Sequence, residues 1–103
     1  MKRLRRKPRV MMILTFGADF LSWKVIDEHH LEKNFSFEDF ITALDFVNKA
    51  GQVCEEQDHH AEFILSWGSV IVKTWSHDVN SITERDYRLA EGIDGVYSNG
   101  PQR

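Results

Sequence analysis

The sequence predicts an α+β fold in which helices pack on one face of a four-stranded antiparallel sheet. Two segments alternate apolar and polar residues as β-hairpins do, and two others repeat apolar residues at helical spacing. With a short helix at the N-terminus, the predicted order is α-ββ-α-ββ-α. The chain has 103 residues, 42% of them hydrophobic, and is expected to form one domain over residues 22–98 with a tail at 99–103.

The N-terminal segment, residues 1–21, differs from the rest in charge and pattern. A basic cluster from Lys2 to Lys7 precedes an apolar run from Val10 to Phe16. We expect a charged tail and then a short helix over residues 10–22, with a strand as the alternative because Gly17 interrupts the helical pattern. A basic segment before an apolar one is also typical of targeting segments, so nuclear or organelle targeting stays open beside the cytoplasmic location that we expect.

The two hairpins are predicted from alternating residues on either side of polar turns. Residues 22–27 and 31–37 form the first, and the pair His29-His30 lies at its turn, where we expect both imidazoles to be solvated. In the second hairpin, Gly68-Ser69 supplies the turn. The alternating apolar positions of this hairpin are Phe63, Leu65, Trp67, Val70, Val72 and Thr74. A small sheet has edges that need covering, which favours oligomerisation.

Two helices are predicted from cap residues and apolar spacing. Ser36 stands three residues before Asp39, which resembles a capping box, and the helix that follows is expected to end near Gln57. Its apolar face is predicted to comprise Phe37, Phe40, Ile41, Ala43, Leu44, Val47, Ala50 and Cys54. The segment Ser81–Asp86 repeats the capping pattern before a last amphipathic helix, whose apolar positions are Leu89, Ala90, Ile93 and Tyr97.

Composition argues against several classes of protein. A net charge of −3 gives no basic signature for binding nucleic acid. No apolar run approaches the ~20 residues that span a bilayer. The single Cys54 excludes an intramolecular disulfide and a multi-cysteine zinc site, which permits a reducing compartment.

The stretch from Glu55 to Asp86 contains His59, His60 and His77. Free imidazole has a pKa near ~6.5, so three of them together suit a reaction that removes one proton while protonating a leaving oxygen. Neighbouring residues on a regular strand face opposite sides, so an irregular link is needed if His59 and His60 are to line one pocket. The hairpin can bring His77 back beside them.

Other interpretations of these residues stay open at this point. Adjacent histidines on a surface turn are usually solvated. A zinc site could use the three histidines with Asp58 or Glu55, although the lack of spaced ligand pairs favours acid–base chemistry. Three tryptophans are candidates for the core or for the wall of a flat bicyclic ligand: Trp23, Trp67 and Trp75.

The spacing of these residues resembles the signature of the pterin-4a-carbinolamine dehydratase family. That signature is an acid, three residues, a histidine pair, usually a proline, and then an aromatic residue, a histidine and an aspartate. The matching positions are Glu55, His59, His60, Trp67, His77 and Asp86, within a resemblance that extends from about Trp23 to Tyr97. Ala61 departs from the usual proline, which loosens the backbone there.

The resemblance implies an activity and an assembly. The activity is dehydration of 4a-hydroxytetrahydrobiopterin to quinonoid dihydrobiopterin, which recycles the cofactor of aromatic amino acid hydroxylases. The implied protein is a homodimer or homotetramer that needs no metal or organic cofactor. Its partner is a pterin small molecule, with no direct contact to nucleic acid or membrane.

The resemblance also implies roles for individual residues. His60 would be the acid that protonates the departing 4a-hydroxyl, and His59 and His77 would be bases toward the N5 proton. Glu55 would orient an imidazole, as carboxylates do in other acid–base sites. The other positions expected beside the pterin are Asp58, Ser76, Asp78 and Trp23, with Trp23 as a wall.

Two alternatives to an enzyme stay open. Some animal relatives also bind the dimerisation region of a transcription factor, so the chain could be a non-catalytic interaction protein that uses the apolar helix at 37–57. Packing of that helix in a homotetramer would explain the same residues. The other alternative is a degenerate homologue without turnover, for which Ala61 is the indication.

Overall fold

The computed structural model describes residues 23–99 and confirms the predicted α+β fold. Its single sheet is antiparallel throughout, in the strand order β1-β2-β4-β3. The strands are β1 (Lys24–Ile26), β2 (His30–Ser36), β3 (Glu62–Ser66) and β4 (Ser69–Thr74). Helix α1 (Phe40–Gln57) joins the two hairpins and helix α2 (Glu84–Asn99) follows the second. The helix predicted over residues 10–22 lies outside the described residues.

Alternation along the central strands separates the core from the outer face of the sheet. Leu31 and Phe35 on β2 and Val70 and Val72 on β4 are buried, while the residues between them are more exposed, Lys33 excepted. The rest of the buried apolar core comprises Trp23, Ala43, Phe46, Ala50, Cys54, Leu89, Ala90 and Ile93. Because α1 and α2 supply most of these residues, both helices cover the same face of the sheet.

Helix α1 begins after Asp39, so the cap predicted at Ser36 was wrong. The Asp39 carboxylate accepts hydrogen bonds from the Thr42 hydroxyl at 2.6 Å and the Thr42 N–H at 2.9 Å. These bonds lower the pKa of Asp39 and satisfy a free donor of the first turn. Ser36 is instead the last residue of β2, where backbone pairing with Ser69 holds it in the sheet.

The buried side of α1 also differs from the predicted face. It consists of Ala43, Phe46, Ala50 and Cys54, whereas Ile41 is 71% exposed. Phe40 and Leu44 are also exposed. The prediction omitted Phe46 and so centred the apolar face too far toward Ile41. The helix therefore presents an apolar surface to solvent in the single chain.

The end of α1 is at Gln57, as predicted. Asp58 follows with φ 54° and ψ 44°, and its N–H bonds to the carbonyls of Cys54 and Glu55. A left-handed residue of this kind ends a helix because it turns the chain while the last carbonyls are still satisfied. Residues 58–61 then form an irregular link to β3.

The second hairpin and helix α2 complete the described part of the fold. The hairpin turn lies at Trp67-Gly68, one residue before the predicted turn, which leaves Trp67 exposed. Before α2, the Thr83 hydroxyl accepts from Arg85 N–H at 3.2 Å and the Asp86 carboxylate accepts from Thr83 N–H at 2.9 Å. This reciprocal cap confirms the predicted capping pattern. Within residues 23–99, no helix is both long and apolar enough to cross a membrane.

Candidate active site

One pocket brings together the link after α1 and the turn after β4. It is lined by Asp58, His59, His60, Trp75, His77, Asp78 and Arg85, with a cavity volume of about 320 Å³. Small-molecule sites commonly measure roughly 300–1,000 Å³. The left-handed Asp58 and the irregular link let the neighbouring residues His59 and His60 line one pocket, which a regular strand would prevent. The structure therefore places all three predicted histidines at one site.

His59 and Asp86 form a buried pair. His59 Nε2 lies 2.6 Å from Asp86 Oδ1, and the side chains are 9% and 0% exposed. The backbone of His59 is also held in position, because its N–H donates to the Cys54 carbonyl at 3.1 Å. A carboxylate that accepts from Nε2–H leaves Nδ1 as the nitrogen that can exchange a proton with a ligand.

Asp86 is held by more than the histidine. Its carboxylate accepts from the Thr74 hydroxyl at 2.6 Å and from the Ser76 hydroxyl and Thr83 N–H, each at 2.9 Å. Burial by itself raises the pKa of Asp86, but the hydrogen bonds from Thr74, His59, Thr83 and Ser76 outweigh it and leave the pKa lowered. Asp86 is therefore an ionised carboxylate at neutral pH, fixed behind His59.

His60 and Glu55 form an exposed pair on the other side of the link. His60 Nε2 lies 2.5 Å from Glu55 Oε2, and the side chains are 57% and 76% exposed. Glu55 is in the last turn of α1, so the pair ties the link to the helix end. His60 therefore contacts both water and the pocket.

The third histidine lies across the pocket beside an aromatic ring. The rings of His77 and Trp75 have centroids 4.5 Å apart and planes inclined at 44°. Next to them, Arg85 donates to the Asp78 carboxylate at 2.8 Å, and this bond lowers the pKa of Asp78. The pocket thus has an aromatic wall, and its rim carries a paired acid and base.

Three predicted binding residues are not among those that line the pocket: Trp23, Ser76 and Glu55, whose carboxylate meets the pocket residue His60. Trp23 is buried in the core, where its indole N–H donates to Asp94 at 2.9 Å, and it is not among the residues that line the pocket. Ser76 is fully buried and does not line the pocket; its hydroxyl donates to Asp86, which holds the pocket residue His59. The resemblance implied Trp23 as the wall, but the tryptophan that lines the pocket is Trp75, two residues before His77.

The role of Asp86 was also missed, although the aspartate was part of the recognised spacing. Its position at the start of α2 favoured a capping role, which it does fill. Only the fold shows that the same carboxylate meets His59, twenty-seven positions away. Arg85 was missed for a similar reason, since an arginine in a first helical turn carries no signal of its own.

The pair His29-His30 is only partly exposed, whereas the sequence predicted two solvated imidazoles. Both imidazoles pack against Trp75, with ring centroids 5.0 and 5.8 Å from the indole. The turn before β2 and the turn after β4 meet because β2 pairs with β4 in antiparallel register. In the part of the chain that the structure describes, no group of three or more His, Cys, Asp or Glu side chains is arranged to hold a metal ion.

Comparison with known proteins agrees with this fold and pocket. The sequence profile of the family described as Pterin 4 alpha carbinolamine dehydratase matches residues 13–96. A protein of Rubrobacter xylanophilus, provisionally named pterin-4-alpha-carbinolamine dehydratase, is 42% identical over 72 residues, or 70% of this chain and 67% of that protein. A relative from Alkaliphilus metalliredigens with the same provisional name is 40% identical over 70% of this chain and 65% of its own length. The chain thus spans about two thirds of the length of these curated relatives.

Solved structures show the same architecture. A crystal structure from Brucella melitensis, described as a transcriptional coactivator/pterin dehydratase, superposes with a TM-score of 0.70 at 30% identity, covering 74% of this chain and 82% of that one. A pterin dehydratase-like protein described as a RuBisCO assembly factor in the alpha-carboxysome has a TM-score of 0.65 at 17% identity over 77% of this chain and 93% of its own; it shows the fold alone. The molecule is a small α+β domain with a histidine-lined pocket. It belongs to the pterin-4a-carbinolamine dehydratase family.

Proposed function

We propose that this protein is an enzyme that dehydrates a pterin-4a-carbinolamine, 4a-hydroxytetrahydrobiopterin, to the quinonoid dihydropterin. The observation that carries the proposal is the convergence of His59, His60 and His77 on one pocket. Two of these imidazoles are held by carboxylates, one buried and one exposed. The family supports a dehydratase, and the geometry supports acid–base work at this pocket.

The reaction needs one acid and one base. The C4a–O bond breaks, and the hydroxyl leaves as water after it takes a proton from the acid. The N5 proton goes to the base, and the N5–H electron pair forms the N5=C4a double bond. Substrate therefore equals product plus one water, with no oxidant or reductant. Imidazoles suit both steps because they exchange protons near neutral pH.

The surroundings of each histidine support a division of labour. His60 is exposed to water and lines the pocket, so we assign it as the acid that protonates the departing hydroxyl. His59 is fixed by the ionised Asp86, and His77 lies across the pocket on Trp75. We assign these two as bases toward N5. The pterin ring would lie along Trp75, with Asp58 and Asp78 at its edges, while Glu55 orients His60.

The experiment is a direct assay of dehydration. Chemically generated 4a-hydroxytetrahydropterin is mixed with protein and the ultraviolet change is followed. We expect acceleration by the wild type and a fall of about 100-fold or more in His60→Ala and in His77→Ala, the size usual for a general acid or base. Glu56→Ala, an exposed neighbour of Glu55, serves as the control. Near-wild-type rates in both histidine variants would refute the assignment, and no acceleration by the wild type would favour a degenerate homologue.

A second function, interaction through α1, has its own observation. Phe40, Ile41 and Leu44 are exposed on the helix in the single chain. We propose that this surface joins copies of the chain into a homodimer or homotetramer, with another protein partner, such as a transcription factor, as the competing occupant. Light scattering should give two or four times the chain mass of 12.1 kDa. If the protein is a monomer and still accelerates dehydration, the exposed apolar surface of α1 would instead be a binding site for another protein partner.

We also propose a cytoplasmic, reducing location. Cys54 is a free, buried thiol, and burial raises its pKa, which keeps it in the unreactive protonated form. A protein adapted to an oxidising compartment would more often pair or lack such a residue. Fractionation of cells that express the full chain would test the location.

A further inference from the structure

The histidine pair at the first hairpin turn lies beside the pocket without lining it. Trp75 is between this pair and His77, since its indole centroid is 5.0 Å from His29, 5.8 Å from His30 and 4.5 Å from His77. The pocket wall therefore has a second set of imidazoles behind it. No role in the proposed dehydration uses them.

A continuous chain of hydrogen bonds runs through this pair. His29 Nε2 lies 2.9 Å from Asn80 Oδ1, His29 Nδ1 lies 3.1 Å from His30 Nδ1, and His30 Nε2 lies 3.2 Å from Glu32 Oε1. One end is the turn that carries His77. The other end is a carboxylate on β2. The chain thus joins the sheet to the pocket turn.

The number of protons in this chain follows from its ends. An amide oxygen and a carboxylate oxygen only accept, so both Nε2 atoms need a proton. The two Nδ1 atoms share one more. The two imidazoles together then hold three protons, whereas two neutral rings hold two. With Asn80 Oδ1 facing His29, the bonds are all made only when the pair carries one positive charge.

The neutral pair needs a different arrangement. If both rings are neutral, the Asn80 amide has to rotate so that its nitrogen donates to His29, and His29 has to move its proton to Nδ1. Asn80 has φ 55°, a conformation that asparagine tolerates better than most residues, and it ends the turn after His77 and Asp78. A change of protonation therefore alters the contact between His29 and this turn.

We propose that His29 and His30 are positioning residues which, while sharing one extra proton, hold Trp75 and the 77–80 turn in place as the pterin-facing wall. The pterin rests on the proposed function, whereas the protonated support does not. Holding the wall rigid before the ligand arrives favours binding, because less side-chain freedom is lost on association.

The charges around the pair come from every neighbouring element. Glu32 faces Lys24 on β1 and Lys73 on β4 in direct register. Asp27 and Glu28 are in the turn itself, and His77 is beyond Trp75. Among the acids of residues 23–99, Glu32 is the one that hydrogen-bonds a ring of the pair, so it is the group to remove.

The test is ¹H–¹⁵N NMR of the histidine ring nitrogens in the full, ligand-free chain between about pH 5 and 8. We expect three ring protons on the pair at low pH and the loss of one, with a single midpoint, as the pH rises. The Trp75 indole and the Asn80 amide signals should shift at that midpoint; Trp75→Phe assigns the indole. Glu32→Gln should lower the midpoint, because it removes the negative charge that faces the shared proton across the part-buried His30–Glu32 contact. Glu62→Gln, which faces Lys73 from β3, should leave it unchanged.

Two further variants separate support from packing. Asn80→Gly keeps the positive φ but removes the side-chain acceptor of His29. The backbone amide signals of the 77–80 turn should then no longer shift as the imidazoles titrate. His30→Phe keeps a ring on Trp75 but no proton, and should raise KM for the carbinolamine about fivefold with kcat within about twofold. The proposal would be overturned if the pair carries two ring protons at every pH, or if the indole and amide signals do not shift as the imidazoles titrate. An unchanged KM in His30→Phe would overturn it as well. If the wild type shows no dehydration, the proposed function fails, and the ring-proton spectra still decide whether the support exists.

Discussion

Two histidine–carboxylate pairs differ mainly in where the fold places them. His59–Asp86 and His60–Glu55 have nearly equal separations of 2.6 and 2.5 Å. In the buried pair the carboxylate is inaccessible and accepts four hydrogen bonds. In the exposed pair both partners reach water, and within residues 23–99 the Glu55 carboxylate has one hydrogen bond, from His60.

The difference shows that the distance between the two charged groups does not by itself determine the role of an ion pair. A buried charge has lost its hydration, so removing one partner leaves the other group uncompensated. An exposed pair keeps its hydration and is screened by salt, so it contributes little to stability. We expect the buried pair to support the fold and fix one base, and the exposed pair to serve proton exchange.

The largest expected effect is on stability. Asp86→Ala should lower the free energy of unfolding by about 3–5 kcal/mol, because it leaves the buried donors His59, Thr74 and Ser76 without their acceptor. Glu55→Ala should change it by about 0.5 kcal/mol or less. Urea unfolding at neutral pH measures both. If Asp86→Ala does not fold, Asp86→Asn takes its place; equal losses at the two positions would contradict the comparison.

The pH dependence of stability should come from the buried pair as well. The pKa of Asp86 is lowered in the folded protein, so its contribution is present above the unfolded pKa of ~3.9 and is lost as the pH falls through the folded value. Unfolding followed from pH 7 to pH 2 should show this acid loss in the wild type. The loss should be smaller in Asp86→Asn and unaltered in Glu55→Gln.

The exposed pair His60–Glu55 should affect catalytic activity more than it affects the stability of the fold. Glu55→Gln keeps an acceptor for His60 but removes the charge that orients and compensates the imidazole. We expect kcat to fall about tenfold, less than for loss of His60 itself, with the unfolding free energy nearly unchanged. Steady-state rates with the carbinolamine measure this. A fall in stability with intact kcat would reverse the roles that we assign to the two pairs.

The smallest expected effect is at Ala61, which follows both histidines. His59 is fixed by Asp86 and by the Cys54 carbonyl, and His60 by Glu55, none of which involves the Ala61 side chain. Ala61→Pro should therefore change the unfolding free energy by about 1 kcal/mol or less and kcat/KM by less than about fivefold. A larger gain in kcat/KM would show that the alanine weakens the pocket.

Local patterns were enough for the element order and for the end of α1. Alternation predicted both hairpins, and helical spacing predicted both described helices, because each pattern follows from the geometry of a single element. The cap at Asp39 and the turn at Trp67-Gly68 were misplaced by one to three residues, since several polar residues there could serve either purpose. Phe46 was missed because burial depends on what the helix packs against.

The sequence by itself determined the fold class and, through the spacing around Glu55, His59, His60 and His77, the family to which the resemblance pointed. Only the tertiary structure decided which carboxylate meets which imidazole. It also decided that Trp75, rather than Trp23, forms the wall, and that His29-His30 lies behind it. The physical reason is that these contacts join residues far apart in the chain. Their distances are set by strand register and helix packing, and no local pattern records either.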